Sequence, residues 1–278
     1  MYKNFLFFII IILIYLFYKN RPKKIKVKRV KLNKISDFYK YIEMGVPVIL
    51  TPSSVTIPSE SSNLKLTDND ILKKIGPNKM IKVESSDTKI FSPNDPNSKA
   101  KRGKMSVKEF ILNYKNKNLY WAEGNLPKEL NIEDPKIGKC LEALNLELEK
   151  RYIFMGYNGN ITRTHRDDVY NLINLYRGKK RVKLFNPKDK KYLYLKDDVY
   201  SDVNLENINY FKHPKIIFAT EYIANLKAGE ILYIPHEWFH HVKSLDNNLA
   251  VSYWYSNSSI KDSKNVPKLA RKVINSLE

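Results

Sequence analysis

The sequence predicts a mainly β fold with flanking helices, in which short antiparallel strands form a sandwich or barrel. After residue 150, short segments recur in which apolar and polar residues alternate, namely RYIFMGY, VYNLINLY, RVKLF, EYIANL, EILYIP and LAVSYWY. Turn signals such as Asn158-Gly159 and Arg177-Gly178 separate these segments. Because no helical pattern lies between them, strands this short and evenly spaced favour antiparallel pairing.

Residues 35–118 predict a smaller α/β part that precedes these strands. Helices are expected at 37–45, at 67–75 and from 106 onward, and strands at 47–50 and 79–84. Residues 51–63 and 86–105 are polar and contain Ser and Pro, so both segments are expected to be loops. Short helical pieces are expected over 126–149. An amphipathic helix within 259–278 ends the chain, with one apolar face formed by Val266, Leu269, Ala270, Val273, Ile274 and Leu277.

The N-terminus predicts a single transmembrane helix within residues 1–20, followed by a basic juxtamembrane tether at 21–34. Residues 5–18 are the unbroken apolar run FLFFIIIILIYLFY, with Lys3 before it and basic residues after it. A helix of this length spans roughly 21 Å, less than the hydrocarbon core, so a cleaved signal peptide is the alternative. No small-residue cleavage site follows, which favours an uncleaved anchor. A buried core helix would need a polar face, which the run lacks.

The basic residues around this run also predict its orientation. The chain has a formal net charge of +20, and half of the excess lies in the first 34 residues, where no acidic residue occurs. Because nine of the ten basic residues there follow the apolar run, the positive-inside rule places the body of the protein in the cytoplasm. The same cluster could instead bind anionic lipid or nucleic acid.

The overall composition excludes several other classes of protein. A hydrophobic content of 43% and an aromatic content of 12% exclude a disordered chain. The single cysteine, Cys140, excludes an intrachain disulfide framework and a thiolate zinc cluster.

Two separated sequence blocks predict a metal site. His165 and Asp167 lie two residues apart in GNITRTHRDD, and residues i and i+2 of a strand point to the same side. About 75 residues later, GEILYIPHEWFHHV contains His236, His240 and His241, and one ligand from this block would complete a set of two histidines and one carboxylate. That set leaves coordination positions open and is typical of non-haem Fe(II) oxygenases. His213 is expected to lie on the surface.

Two longer segments that contain these blocks carry a resemblance to a known family. GNITRTHRDDVYNLINLYRGKKRVKLFNP and GEILYIPHEWFHHVKSLDNNLAVSYWY resemble the JmjC/cupin-type 2-oxoglutarate oxygenases, with the closest likeness to the protein-hydroxylase branch that includes the asparaginyl hydroxylase of hypoxia-inducible factor. The resemblance is strongest over residues 119–256 and weaker from Ser36. It implies a double-stranded β-helix, or jelly-roll barrel, over 119–258, with Fe(II), 2-oxoglutarate and O₂ as metal, co-substrate and oxidant.

The resemblance also implies a role for individual residues. The metal ligands would be His165, Asp167 and His240, the last being the first histidine after the aromatic pair Trp238-Phe239. Lys180, two residues after the hairpin glycine, would bind the distal carboxylate of 2-oxoglutarate, although a solvated surface lysine is the alternative. The remaining co-substrate contacts would come from Thr162, Tyr120, Asn171 and Ser252, the last of which stands where the hydroxylase has Asn.

The resemblance allows three functions. The first is a membrane-anchored dioxygenase that hydroxylates a protein side chain. The second is the same chemistry on an N-methyl-lysine or on a modified tRNA base, so that RNA is an alternative partner. The third is a catalytically inactive cupin-like binding or structural protein of a membrane. The closing helix lies where family members dimerise, and it would either form a homodimer or pack on its own chain.

Overall fold

The computed structural model describes residues 7–9, 11–12, 15, 19, 23–56, 66–92, 95, 98–256 and 265–277. Most of the predicted anchor at residues 1–20 lies outside this part of the chain, as does much of the loop expected at 51–63. None of the helices in the described part is long and apolar enough to cross a membrane.

Strands dominate the described residues, which confirms the prediction of a mainly β fold. The strands are β1 (Lys23–Lys26), β2 (Arg29–Val30), β3 (Val48–Leu50), β4 (Met80–Ser85), β5 (Lys101–Ser106), β6 (Leu119–Asn125), β7 (Glu147–Gly156), β8 (Ile161–His165), β9 (Tyr170–Arg177), β10 (Lys179–Phe185), β11 (Leu195–Lys196), β12 (Tyr200–Ser201), β13 (Thr220–Lys227), β14 (Ile231–Ile234), β15 (Phe239–Ser244) and β16 (Asn248–Ser256).

Helices lie mainly in the N-terminal half and at the C-terminus of the described chain. The α-helices are α1 (Tyr39–Met44), α2 (Asp68–Ile75), α3 (Val107–Asn113), α4 (Gly138–Glu142) and α5 (Val266–Leu277). Short 3₁₀ helices occupy Ile35–Phe38, Lys128–Leu130, Pro187–Tyr192 and Pro214–Phe218. The helices predicted at 67–75 and from 106 onward are confirmed, and both are capped, because the side chains of Thr67 and Ser106 accept hydrogen bonds from the backbone N–H three residues on.

Two large sheets face each other across a shared core. The order of the five-stranded sheet is β1-β13-β10-β15-β8, and that of the nine-stranded sheet is β2-β3-β14-β9-β16-β7-β6-β4-β5. Neighbouring strands pair antiparallel except for β1–β13 and β2–β3. Apolar side chains from both sheets, such as Val182 and Ala224 on one and Ile173 and Ala250 on the other, fill the space between them.

A second, larger apolar core lies on the opposite face of the nine-stranded sheet, where the helices pack. Leu172 belongs to this outer core while its neighbour Ile173 belongs to the core between the sheets. Successive residues of a strand point to opposite faces, so a strand buried on both sides has apolar residues at consecutive positions. The same arrangement explains why VYNLINLY is apolar at most of its positions.

Within the predicted basic tether at 21–34, six residues, those of β1 and β2, are part of the sheets. β1 pairs with β13, from Lys23 opposite Thr220 to Lys26 opposite Ile223, and β2 pairs with β3. The sequence does not predict β1 and β2, because both strands lie at sheet edges. Their side chains remain in solvent there, and only their backbone groups pair with a neighbouring strand.

The loop predicted at 86–105 is also partly wrong, since β5 begins at Lys101. Its residues are mostly exposed, and its backbone pairs with β4 from Ser85 opposite Lys101 to Met80 opposite Ser106. An edge strand of exposed lysine, arginine and glycine has no apolar alternation, so the pattern that reveals other strands is missing. β4 and β5 from residues 35–118 continue the nine-stranded sheet beside β6 from residues 119–258, and the division of the chain between these two parts stays a prediction.

Candidate metal centre

Three predicted ligands converge at the adjoining ends of β8 and β15. These strands pair so that His165 lies opposite His240, with a ring-centroid separation of 4.3 Å. Asp167 follows the end of β8, and its two carboxylate oxygens lie 3.6 Å from His165 Nε2 and 3.5 Å from His240 Nε2. Ligand atoms bound to one ion at about 2.1 Å lie about 3.0–3.4 Å apart for octahedral to tetrahedral angles, so the three atoms fit a common metal.

The backbone orients both imidazoles towards this point. His165 Nδ1 lies 2.7 Å from the carbonyl oxygen of Arg163, and His240 Nδ1 lies 3.1 Å from that of Trp238. Since a carbonyl only accepts, each Nδ1 carries the proton and each Nε2 presents a free lone pair. Burial, and then the neighbouring His165, lowers the pKa of His240 to about 4. His240 is therefore neutral and able to bind a metal at physiological pH.

Lys180 is buried rather than solvated. It lies on β10, between Leu226 of β13 and Ser244 of β15, and its exposed fraction is 2%. Its Nζ donates a hydrogen bond to Tyr120 Oη across the space between the two sheets, at 3.0 Å. Burial lowers the pKa of Lys180 to about 7. A buried ammonium with no carboxylate partner among the described residues is suited to binding an anion.

All the predicted site residues line a single pocket, which we call the metal pocket. Its space, including the mouth, is about 480 Å³. The predicted residues in its wall are Tyr120, Thr162, His165, Asp167, Asn171, Lys180, His240 and Ser252. They come from six strands of both sheets and the turn after β8, so the pocket is an opening between the two sheets.

Two buried polar atoms in the metal pocket have no hydrogen-bond partner in the described structure. They are Asn171 Oδ1 and Trp254 Nε1. Buried polar atoms without partners cost free energy, and their presence indicates a ligand that satisfies them. A carboxylate oxygen of a bound anion would accept a hydrogen bond from Trp254 Nε1, whereas Asn171 Oδ1 is itself an acceptor and needs a donor such as a water or a hydroxyl group.

Sequence reasoning missed a carboxylate at the mouth of the metal pocket. Glu123 lines the pocket and also two adjoining surface grooves. It has a positive φ of 51°, which is uncommon for a residue other than glycine. Its neighbour Glu84 is buried opposite Tyr120, and Arg102 contacts both carboxylates, at 3.3 Å from Glu123 and 3.8 Å from Glu84. No spacing in the sequence brings these three residues together.

Apolar residues complete the wall and were not assigned to it from the sequence. They are Phe154, Ile173, Val242, Ala250 and Trp254. The ring of Trp254 lies edge-to-face against that of Tyr152 at a centroid distance of 5.0 Å. Trp238 and Phe239 are buried in the core.

The other three histidines lie outside the metal cluster. His241 points away from it, with Nε2 at 3.4 Å from Glu206, and His236 lies in the turn after β14. The expected surface position of His213 is wrong, because the ring is buried against Tyr194 at a centroid distance of 4.9 Å. A histidine between a lysine and a proline belongs to no alternating apolar pattern that would reveal its burial.

Comparison with known families agrees with this geometry. Residues 36–261 match the model of the cupin-like domain, which is most of the chain and includes every residue of the metal pocket. The chain belongs to the cupin-like domain family.

Several characterised proteins are similar to this cupin-like chain. Human tRNA wybutosine-synthesizing protein 5 is 40% identical over 92 residues, which are 33% of this chain and 29% of that protein. The lysine-specific demethylase JMJ30 of Arabidopsis thaliana is 27% identical over 237 residues, or 79% of this chain and 52% of that protein. JmjC domain-containing protein D of Dictyostelium discoideum is 36% identical over 104 residues, 35% of this chain and 23% of that protein. The chain thus matches about a quarter to a half of the length of these relatives.

Proposed function

We propose that this protein is a membrane-anchored dioxygenase that depends on Fe(II) and 2-oxoglutarate and hydroxylates a protein side chain. One observation carries the proposal: three metal-ligand residues and a buried lysine with no carboxylate partner among the described residues share one pocket between the sheets. A structural barrel has no need of either feature, because both place buried polar groups where apolar side chains would be more stable.

The donor set favours iron. Two imidazole nitrogens and one carboxylate oxygen on a single face leave the opposite coordination positions open, which is the arrangement found in non-haem Fe(II) oxygenases. Together, bound Fe(II) and 2-oxoglutarate would supply the O₂-dependent oxidation of a C–H bond. The residues of this chain would hold the metal through His165, Asp167 and His240.

The remaining residues would hold and orient the co-substrate. Lys180 would pair with its distal carboxylate, while the hydroxyls of Tyr120 and Thr162 would donate to the same group. Asn171 and Ser252 lie on β9 and β16, which pair with each other, and would make the remaining polar contacts. The apolar wall formed by Phe154, Ile173 and Trp254 would exclude water from this part of the pocket.

The relatives favour two alternative substrates. The named demethylase covers most of this chain, which favours N-methyl-lysine, and the wybutosine-synthesizing protein favours a modified tRNA base. Demethylation would release formaldehyde, whereas hydroxylation would leave one added oxygen on the product, so product analysis separates them. Salt-dependent RNA binding would favour the tRNA substrate. A catalytically inactive module is disfavoured by the complete ligand set.

The first test measures metal binding and turnover together. Adding Fe(II) without oxygen should stabilise the protein, since a ligand at about 100 times its Kd adds about 2.7 kcal/mol to the free energy of unfolding. For a domain of this size, that corresponds to a rise in Tm of roughly 5–10 °C. With oxygen, 2-oxoglutarate should be converted to succinate.

Asp167→Asn and Asp168→Asn form a matched pair for this test. Asp168 is exposed and pairs with Arg166, so its replacement should leave both the Fe(II)-dependent Tm shift and succinate formation unchanged. Asp167→Asn should abolish both. If the two variants showed the same Fe(II)-dependent Tm shift and the same succinate formation, the assignment of the metal site to this pocket would be wrong.

The anchor at residues 5–18 and the cytoplasmic position of the body are part of the same proposal. They rest on the apolar run and on the basic residues that follow it. Anchoring would confine the oxygenase to substrates at a membrane surface.

A further inference from the structure

A cluster of exposed aromatic side chains lies on the segment that leads into β13. Phe211 is fully exposed, Phe218 is 51% exposed and Tyr210 is 37% exposed. Phe218 contacts the ring of Tyr192 at a centroid distance of 5.8 Å, which joins it to the neighbouring 3₁₀ helix Pro187–Tyr192. Exposed aromatic groups of this kind cost free energy in water and mark a surface that meets an apolar partner.

This cluster lies beside the point where the N-terminal segment joins the sheet. Lys23, the first residue of β1, pairs with Thr220, two residues after Phe218. Lys24 lines the same surface cavity as Tyr210. The aromatic cluster and the start of β1 are therefore adjacent, although they are almost 200 residues apart in the chain.

Asp189 and Asp197 have no ion-pair partner among the described residues, but unpaired lysines outnumber them, so the charge of this region is positive once ion pairs are removed. Asp198 pairs with Lys190, and Asp202 pairs with Lys196 and Lys212. Five exposed lysines have no acidic partner among the described residues, and they are Lys23, Lys24, Lys188, Lys191 and Lys215. We call Tyr210, Phe211, Phe218, Lys191 and Lys215 the aromatic–lysine surface.

The length of chain between this surface and the apolar run limits how far apart they can be. Four residues lie between Tyr18, the last residue of the run, and Lys23, so the two are five residue steps apart, and an extended chain covers at most about 3.3–3.6 Å per step, or roughly 17 Å. If residues 5–18 lie in a bilayer, the start of β1 is held at the depth of the headgroups or just above them. The aromatic–lysine surface is adjacent to that start.

We propose that the aromatic–lysine surface docks on the interface of an anionic phospholipid bilayer, an inference that rests on the anchor in the proposed function. Phe211 and Phe218 insert among the headgroups and upper acyl chains, as apolar groups of interfacial proteins do. The unpaired lysines attract anionic headgroups, each strengthening binding several-fold. The surface thereby fixes the orientation of the barrel relative to the membrane, which a tether alone would leave free.

A fluorescent probe on the full chain tests the proposal. The only native cysteine, Cys140, is buried, so a polarity-sensitive dye can be attached selectively to Phe211→Cys. Leu112→Cys is the control, because Leu112 is also an exposed apolar residue and lies on α3, in the helix layer behind the nine-stranded sheet. Both proteins are reconstituted into vesicles of zwitterionic and anionic phospholipid, with and without brominated acyl chains, and vesicle flotation is measured in parallel.

The expected result is that both proteins float, and that brominated lipid roughly halves the emission of the dye at 211 but leaves the dye at 112 unchanged. Lys191→Gln with Lys215→Gln should weaken quenching at 211 without changing Tm. Flotation with no quenching at 211 would overturn the docking surface while leaving the anchor intact. No flotation would overturn both. Shielding of the dye at 211 in detergent without lipid would also overturn the proposal, because a second copy or another part of the chain would then cover this surface.

Discussion

Lys180 is the residue in the metal pocket whose ionisation is most sensitive to burial. Because burial lowers its pKa to about 7, part of the population is neutral in the free protein at physiological pH. A dicarboxylate binds the protonated form, so its affinity should be constant below about pH 7 and fall by about tenfold per pH unit above it. Calorimetric titration of 2-oxoglutarate into the Fe(II)-loaded protein, without oxygen, measures this.

Lys180→Met is the control for this prediction. Methionine keeps the length of the side chain and removes the charge, so binding should be much weaker and no longer depend on pH in this range. If the affinity of the unaltered protein for 2-oxoglutarate stayed constant from about pH 6 to 9, Lys180 would not be the residue that binds the co-substrate.

The buried carboxyl group of Glu84 is expected to make the stability of the protein depend on pH, in addition to the pH effect on co-substrate binding. Burial, and then the neighbouring Glu123, raises the pKa of Glu84 from 4.5 to about 8, although Arg102 opposes this. Between these values the folded state holds a proton that the unfolded state has lost, so the free energy of unfolding falls as pH rises from about 5 to 8. Glu84→Gln should remove this loss and raise Tm at pH 8 more than at pH 5.

The exposed Glu147 provides a comparison, since Glu147→Gln should change Tm little at either pH. If Glu84→Gln and Glu147→Gln had the same pH profile, Glu84 would titrate as an ordinary carboxylate.

The hairpin between β9 and β10 is the element that sets the position of Lys180. Gly178 in its turn has a φ of +83°, and a Cβ there would lie 2.4 Å from the backbone oxygen of Asn247. Lys179 N–H donates to Asp246 at 2.7 Å, which ties the same turn to the loop before β16. A side chain at 178 therefore strains the backbone and also pushes two loops apart.

Gly178→Ala should lower the free energy of unfolding by about 1–3 kcal/mol and also weaken 2-oxoglutarate binding. Gly103→Ala is the control, because Gly103 on β5 has open space around its Cα and no positive φ. Urea denaturation and co-substrate titration measure the two effects. A Gly178→Ala protein as stable as Gly103→Ala would show that the turn adapts freely.

The closing helix shows what an element pattern can and cannot predict. The apolar face of α5 was expected, and Val266 and Ala270 are buried while Leu269 and Val273 pack partly against the same core. Arg271 pairs with Glu43 of α1 at 2.6 Å. The helix thus uses most of its apolar face within its own chain, and the homodimer stays a prediction.

At the scale of the whole molecule, the proposed topology has its own test. In sealed vesicles with the cytoplasmic side outward, added protease should digest the body of the full-length protein, because the basic residues after the apolar run place it there. Cleavage is followed with antibody to the C-terminus. Protection of the body until detergent is added would reverse the orientation, and loss of the protein from the membrane at alkaline pH would contradict an anchor.

Much of the barrel was predictable because its central strands are buried. Burial requires apolar residues at regular positions of these strands, and the turns between them require glycine, asparagine or proline. Apolar alternation and turn residues can therefore be recognised in the sequence of 151–256. β1, β2 and β5 were not predictable, because an edge strand satisfies one side of its backbone by pairing and keeps polar side chains in water. The sequence pattern therefore weakens where the sheet ends.

The sequence by itself determined the mainly β fold, the apolar N-terminal run and the identity of a candidate ligand set. The fold class and the apolar run depend on local composition and short spacings, and the choice of His240 as the third ligand depends on the resemblance to a known family, so none of them requires knowledge of distant contacts. Only the tertiary structure decided that Lys180 is buried against Tyr120, that Glu84, Arg102 and Glu123 meet at the pocket mouth, and that Phe218 lies beside the start of β1. The physical reason is that sheet pairing joins strands far apart in the chain, and no local pattern specifies which strands will become neighbours.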